Sequence, residues 1–159
     1  MIRTSIAALF LLAASPAIGA EPELARHGTF YVPLYSNIYH GNLDGRGKPA
    51  SLLLSAMLSI RNTDLDHGIT VQSVRFYDSD GKLVKEYYAQ PKRLGPLGST
   101  EIFVENKDST GGPGAKFIVV WDAESPVNLP IMDTVNAYVF GTQTTIFTAA
   151  GRPISAAKK

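Results

Sequence analysis

From Leu54 to Arg61 apolar and polar residues alternate one by one, with Leu54, Ala56, Leu58 and Ile60 set against Ser55, Met57, Ser59 and Arg61. A period of two with one apolar side predicts a half-buried β-strand. Ile69 and Val71 keep that period, but the next inward candidates are Val74 and Phe76, so the parity slips between Gln72 and Ser73. A β-bulge inserts one residue and restores the facing of the residues beyond it, and it is expected here. Asp80-Gly81 is a strong short hairpin signal, and it leads into a partner strand over Leu83–Tyr88.

Further strands are expected over Phe30–Tyr35, Ile102–Val104, Phe117–Trp121, Val135–Phe140 and Thr144–Thr148. Pro33 places the first of these at a sheet edge, because proline donates no ladder hydrogen bond. The apolar run Phe117-Ile118-Val119-Val120-Trp121 suits a strand buried on both faces. Between strands, Pro91, Gly95, Pro96, Gly98 and Gly111-Gly112-Pro113-Gly114 mark turns and loops. Seven or eight short strands, with no helical stripe outside the N-terminus, predict an all-β chain. The expected architecture is an antiparallel β-sandwich of the immunoglobulin or fibronectin type III kind, with a small closed barrel as competitor.

The N-terminus departs from this pattern. Arg3 precedes the apolar run Ile6 to Ala14, and Pro16 and the small residues Ala17-Ile18-Gly19-Ala20 come next, before Glu21-Pro22-Glu23. A basic start, about nine apolar residues and a small-residue cleavage site predict a secretory signal peptide over residues 1–20. Such a run is too short to span a bilayer, which takes about 20 apolar residues. Residues 21–28 are then expected to be a flexible N-terminus, 29–155 a single sandwich domain and 156–159 a tail. The expected localisation is periplasmic or secreted.

With Arg3 removed, fourteen bases (15 minus 1) face fourteen acids. A neutral chain with no basic run longer than Lys92-Arg93 lacks the footprint of nucleic-acid binding. No other segment is long and apolar enough to cross a membrane as a helix. Cysteine is absent, which excludes a thiol nucleophile, a thiolate metal site, a redox pair and disulfides. No cofactor is implied.

Several phrases resemble a family of small exported bacterial proteins classed as a domain of unknown function. They are Tyr31-Val32-Pro33-Leu34-Tyr35-Ser36 with Ile38-Tyr39-His40-Gly41, and Leu58-Ser59-Ile60-Arg61-Asn62-Thr63-Asp64. Val74-Arg75-Phe76-Tyr77-Asp78, Leu94-Gly95-Pro96-Leu97 and Gly111 to Ala115 complete the set. The resemblance spans most of the expected mature chain and implies export and a compact β domain. It brings no catalytic residue.

Candidate chemistry rests on three histidines, His27, His40 and His67. Asp64-Leu65-Asp66-His67 could offer three ligands to a cation from one loop, but Asp and Asn also build tight turns through side-chain to backbone bonds. Tyr39-His40 is the other cluster. His40 as a general base needs a positioned nucleophile, and no Gly-x-Ser-x-Gly elbow occurs. Tyr39, His40, Asp64 and His67 are the candidate binding residues, provided folding brings the two loops together; otherwise the turn reading stands.

Two apolar faces compete in the C-terminal strands. Val135, Ala137 and Val139 alternate with Tyr138 and Phe140, while Ile146 opposes Phe147. One set needs cover from the chain's own 34–50 or 87–97 segments, or from a partner, which makes Tyr138, Phe140 and Phe147 a candidate interface. Self-cover is the default, since large exposed apolar patches are rare on monomers. The expected function is a non-enzymatic binding or accessory module of a bacterial cell envelope with an envelope protein as partner. The alternative is a periplasmic domain binding a small molecule or metal.

Overall fold

The computed structural model describes residues 23–155; the expected signal peptide and the last four residues lie outside them. Strand β1 (Leu24–Pro33) is succeeded by β2 (Asn37–Leu43), β3 (Pro49–Leu53) and β4 (Ser55–Arg61). Next come β5 (Ile69–Tyr77), β6 (Leu83–Glu86), β7 (Lys92–Leu94) and β8 (Ser99–Val104). The chain continues through β9 (Lys116–Asn128), β10 (Ile131–Phe140), β11 (Gln143–Ala150) and β12 (Arg152–Ile154). There is no helix among the described residues.

Two open sheets form the sandwich. One has the order β12-β1-β9-β5, with β6 and β7 both lying along the far side of β5; the other has the order β11-β10-β4-β8. Every strand pair is antiparallel, and neither sheet closes into a barrel. A single apolar core lies between them, built on Val32, Leu58, Ile60, Val71, Phe76, Phe117, Val119 and Trp121. The rings of Phe76 and Phe117 meet at 5.3 Å between centroids. Burial of each such side chain contributes about 1.5–3 kcal/mol.

The slip at Gln72 is a bulge: β5 pairs with β9 through Val71↔Trp121 and then Ser73↔Val120. Gln72 is left without a partner in the ladder, and its side-chain amide donates to Asp122 Oδ2 at 2.7 Å. On the β6 side the N–H of Val74 donates to Glu86 Oε1 at 2.9 Å.

Three expectations are corrected. Among the described residues the strands number twelve rather than seven or eight, the additional ones being β2, β3, β7 and β12. Residues 24–28 are not a flexible terminus but the start of β1, laid against β9 from Leu24↔Asn128 onward. Nor is β1 an edge. It runs between β9 and β12, and Pro33 fits because β12 reaches only Thr29 to Tyr31.

The 87–97 segment does not cover an outer face. Tyr87 packs its ring against Phe117 at 5.8 Å, and the Tyr88 hydroxyl meets Thr100 Oγ1 at 3.0 Å, so together they close the open side between β5 and β8.

Candidate functional site

At Pro33 the chain leaves the sandwich. The Ser36 N–H donates to Gly112 O at 3.1 Å, and the Leu54 N–H donates to Ser36 O at 2.9 Å. Between these clamps β2 and β3 pair only with each other, forming a two-stranded arm. The arm turns at Asp44, whose Oδ1 accepts the N–H groups of Lys48 (2.9 Å) and Arg46 (2.8 Å). Those bonds, with Lys48 first, hold its carboxyl below the usual carboxylate range. Gly47 takes the left-handed conformation that ends the turn.

Register sorts the arm into two faces. Ile38 stands opposite Leu52 and His40 opposite Ala50, so these residues share one side, while Tyr39 opposes Ser51 on the other. Ile38, His40 and Leu52 look onto Tyr138 of β10 and Gln143 to Thr145 of β11. Between them lies a groove of about 580 Å³. Phe140, on the Tyr138 side of β10, is 72% exposed, while Tyr39 and Val139 face away from the groove and are 60% and 67% exposed. The arm and the β10–β11 hairpin thus present an apolar, aromatic rim at one end of the sandwich.

A buried polar chain positions the arm. Thr134 and Asn136 occupy inward positions of β10 and are fully buried. Thr134 Oγ1 donates to Pro33 O at 2.7 Å, Asn136 Nδ2 donates to Thr134 Oγ1 at 3.2 Å, and Asn136 Oδ1 accepts the Tyr35 N–H at 3.0 Å. Buried polar groups are tolerated when bonded in this way, and here they tie the exit of β1 to the strand carrying Tyr138. Sequence reasoning missed both residues. The available signal was two hydrogen-bonding side chains, two residues apart, on the strand face that also carries Met132.

The inner face of β10 is carried by Met132, Thr134 and Asn136, and then by half-buried Tyr138. Val135 and Val139 therefore point outward. Phe147 is half-buried with its ring edge-on to Tyr35 at 5.3 Å, whereas Phe140 is 72% exposed. Among the described residues self-cover of the second face is overturned: none of them shields Val139 or Ile146, which are 67% and 60% exposed.

The second candidate loop lies at the other end of β4, a strand of about 20 Å at the usual rise per residue. There Asp64 Oδ1 accepts the N–H groups of Asp66 (3.0 Å) and His67 (2.9 Å), and Oδ2 accepts that of Asn128 (3.2 Å). His67 Nδ1 approaches Asp64 Oδ1 at 3.2 Å. The backbone donors, Asp66 first, lower the Asp64 carboxyl to about 2 against the opposing effect of burial. Asp64 is thus occupied in making a turn. His40 and His67 do not converge, and no three His or acidic side chains cluster to hold a metal ion among the described residues. Ser36 Oγ, of the nearest serine preceding His40, is buried without a hydrogen bond.

Beside the Asp64 end, a cavity of about 480 Å³ is lined by Arg26, His27, Arg93, Asp122 and Glu124. Its charges serve each other, with Arg93 paired to Glu124 at 2.9 Å and Asp122 holding Gln72.

Residues 27–154 match the family model described as protein of unknown function DUF3124. The chain belongs to this family. Its model covers both sheets and the arm of the DUF3124 domain. Among solved structures, the crystal structure of Thermotoga maritima 1070 is similar at 18% identity and a TM-score of 0.43. That similarity covers 80% of this chain and 93% of the other. No curated protein matches this DUF3124 chain.

Proposed function

We propose that this DUF3124 protein is exported and acts as a non-enzymatic binding module of the bacterial envelope, gripping an apolar segment of a partner protein between arm and hairpin. The observation that carries the reading is the groove of about 580 Å³ between Ile38, His40 and Leu52 on one side and Tyr138 on the other. Its volume lies in the range of binding sites, and aromatic side chains are enriched at interface cores. Phe140, two residues from Tyr138 and so on the same side of β10, is exposed and extends the apolar surface. Export rests on the leader pattern of residues 1–20.

The test is capture from envelope fractions with tagged mature protein. Wild type and a Leu65→Asp control at the far end retain one reproducible partner, while Tyr138→Ala and Phe140→Asp lose it and stay folded. Equal capture by all four proteins contradicts the groove reading. A fusion of residues 1–25 to a reporter should reach the periplasm, and cytoplasmic retention contradicts export.

A further inference from the structure

Strand β11 is the outermost of its sheet, and among the described residues it pairs with β10 alone. Gly141-Thr142 forms a two-residue turn that sets Phe140 against Gln143. In such a hairpin the pair beside the turn exchanges both backbone bonds, and bonded pairs then alternate. Gln143, Thr145, Phe147 and Ala149 therefore turn their backbone groups toward β10. The Gly151 N–H bond to Met132 O, at 2.7 Å, continues the same series. Thr144, Ile146 and Thr148 turn their N–H and C=O groups to the open edge.

Proteins guard such edges with charge, proline or short length. The other outer strands of the two sandwich sheets are guarded: β12 has three residues including Arg152 and Pro153, β6 carries Lys85 and Glu86, β7 carries Lys92 and Arg93, and β8 carries Glu101. The eight residues of β11 contain neither charge nor proline.

The edge also matches itself. Thr144, Ile146 and Thr148 read the same in both directions, so a twofold axis through Ile146 sets Ile146 opposite its own copy and Thr144 opposite Thr148. Threonine and β-branched pairs are favourable across strands, and no like charges meet. On the outer face, Ala137 neighbours Ile146 in the ladder, so the exposed apolar surface of one copy would run on into the next. We infer that the protein self-associates as a twofold dimer through antiparallel pairing of its β11 edges, which joins two four-stranded sheets into one of eight.

The chain lacks cysteine, so a single introduced thiol reports cleanly. Bonded antiparallel pairs place their Cα atoms about 5.5 Å apart, within disulfide reach. Under mild oxidation or a short bis-maleimide, Ile146→Cys should crosslink into a dimer at least tenfold faster than Leu65→Cys, a similarly exposed site on a distant loop. Light scattering of the mature chain should give twice the monomer mass, and Ile146→Lys, which puts two like charges at the axis, should halve it while keeping the native circular dichroism. Crosslinking of Ile146→Cys no faster than the control overturns the inference, as does a dimer that survives Ile146→Lys.

Discussion

Gly28 stands directly opposite Trp121 in the β1–β9 ladder, and a Cβ placed on it would lie 2.9 Å from the indole Nε1. Trp121 is fully buried, so the ring has nowhere to retreat. The glycine is what lets the largest core side chain lie across its neighbouring strand. Gly28→Val should therefore destabilise the fold by about 1–3 kcal/mol, as overpacking does. Denaturant unfolding tracked by the fluorescence of the single tryptophan measures it, and an unchanged midpoint would refute the packing.

The Asp78–Lys82 turn repeats the design of the Asp44–Lys48 turn. In each, Oδ1 of the aspartate accepts the N–H groups two and four residues on, and a left-handed glycine ends the turn. Asp80 is not left-handed, so this is not the primed turn that Asp80-Gly81 suggests. Only Gly81, at φ +83°, needs the special conformation. Gly81→Val should cost about 1–2 kcal/mol. Gly47→Val, in the arm outside the core, should leave the global melting temperature nearly unchanged. Equal losses from the two changes would contradict the arm's independence from the core.

Asn136 satisfies the N–H of Tyr35 from the opposite sheet. Asn136→Leu leaves that donor unpaired at a half-buried site, at a cost of about 1–3 kcal/mol. Hydrogen exchange should rise first at residues 35–37, at the root of the arm. Uniform loss of protection across both sheets would argue against an anchoring role.

Asp64 makes stability depend on acid. Its carboxyl sits at about 2 in the folded protein and near 3.9 in an unfolded chain. A lowered folded value means that its stabilising contribution is full above about pH 4 and is lost as pH falls from there toward 2. Melting temperatures of wild type and Asp64→Ala should thus differ at pH 6 and converge toward pH 2. A difference independent of pH would contradict the turn network.

Much of the sandwich was legible because its strands obey simple rules. The parity slip at Gln72-Ser73 marked a bulge, and the run Phe117–Trp121 marked the strand that became central. The features that escaped notice depend on partners distant in sequence. Pro33 suggested an edge, yet β12 is short enough to stop before it. Val135, Ala137 and Val139 looked as much like core as Tyr138 and Phe140, because nothing local says that Thr134 and Asn136 will find Pro33 O and Tyr35 N from another sheet. Of the candidate site, His40 and Tyr138 lie far apart in the sequence and line one groove only because the arm folds beside the β10–β11 hairpin. The Asp64–His67 loop was readable as a turn from its residues alone.

Direct contact at the groove is the claim on which the functional account rests. A photoactivatable amino acid placed at Tyr138 in living cells should, on irradiation, attach the mature protein to one defined envelope partner, and the same probe at Leu65 should attach none. Identical adducts from both positions, or none from Tyr138 while the protein is folded and exported, would contradict the account.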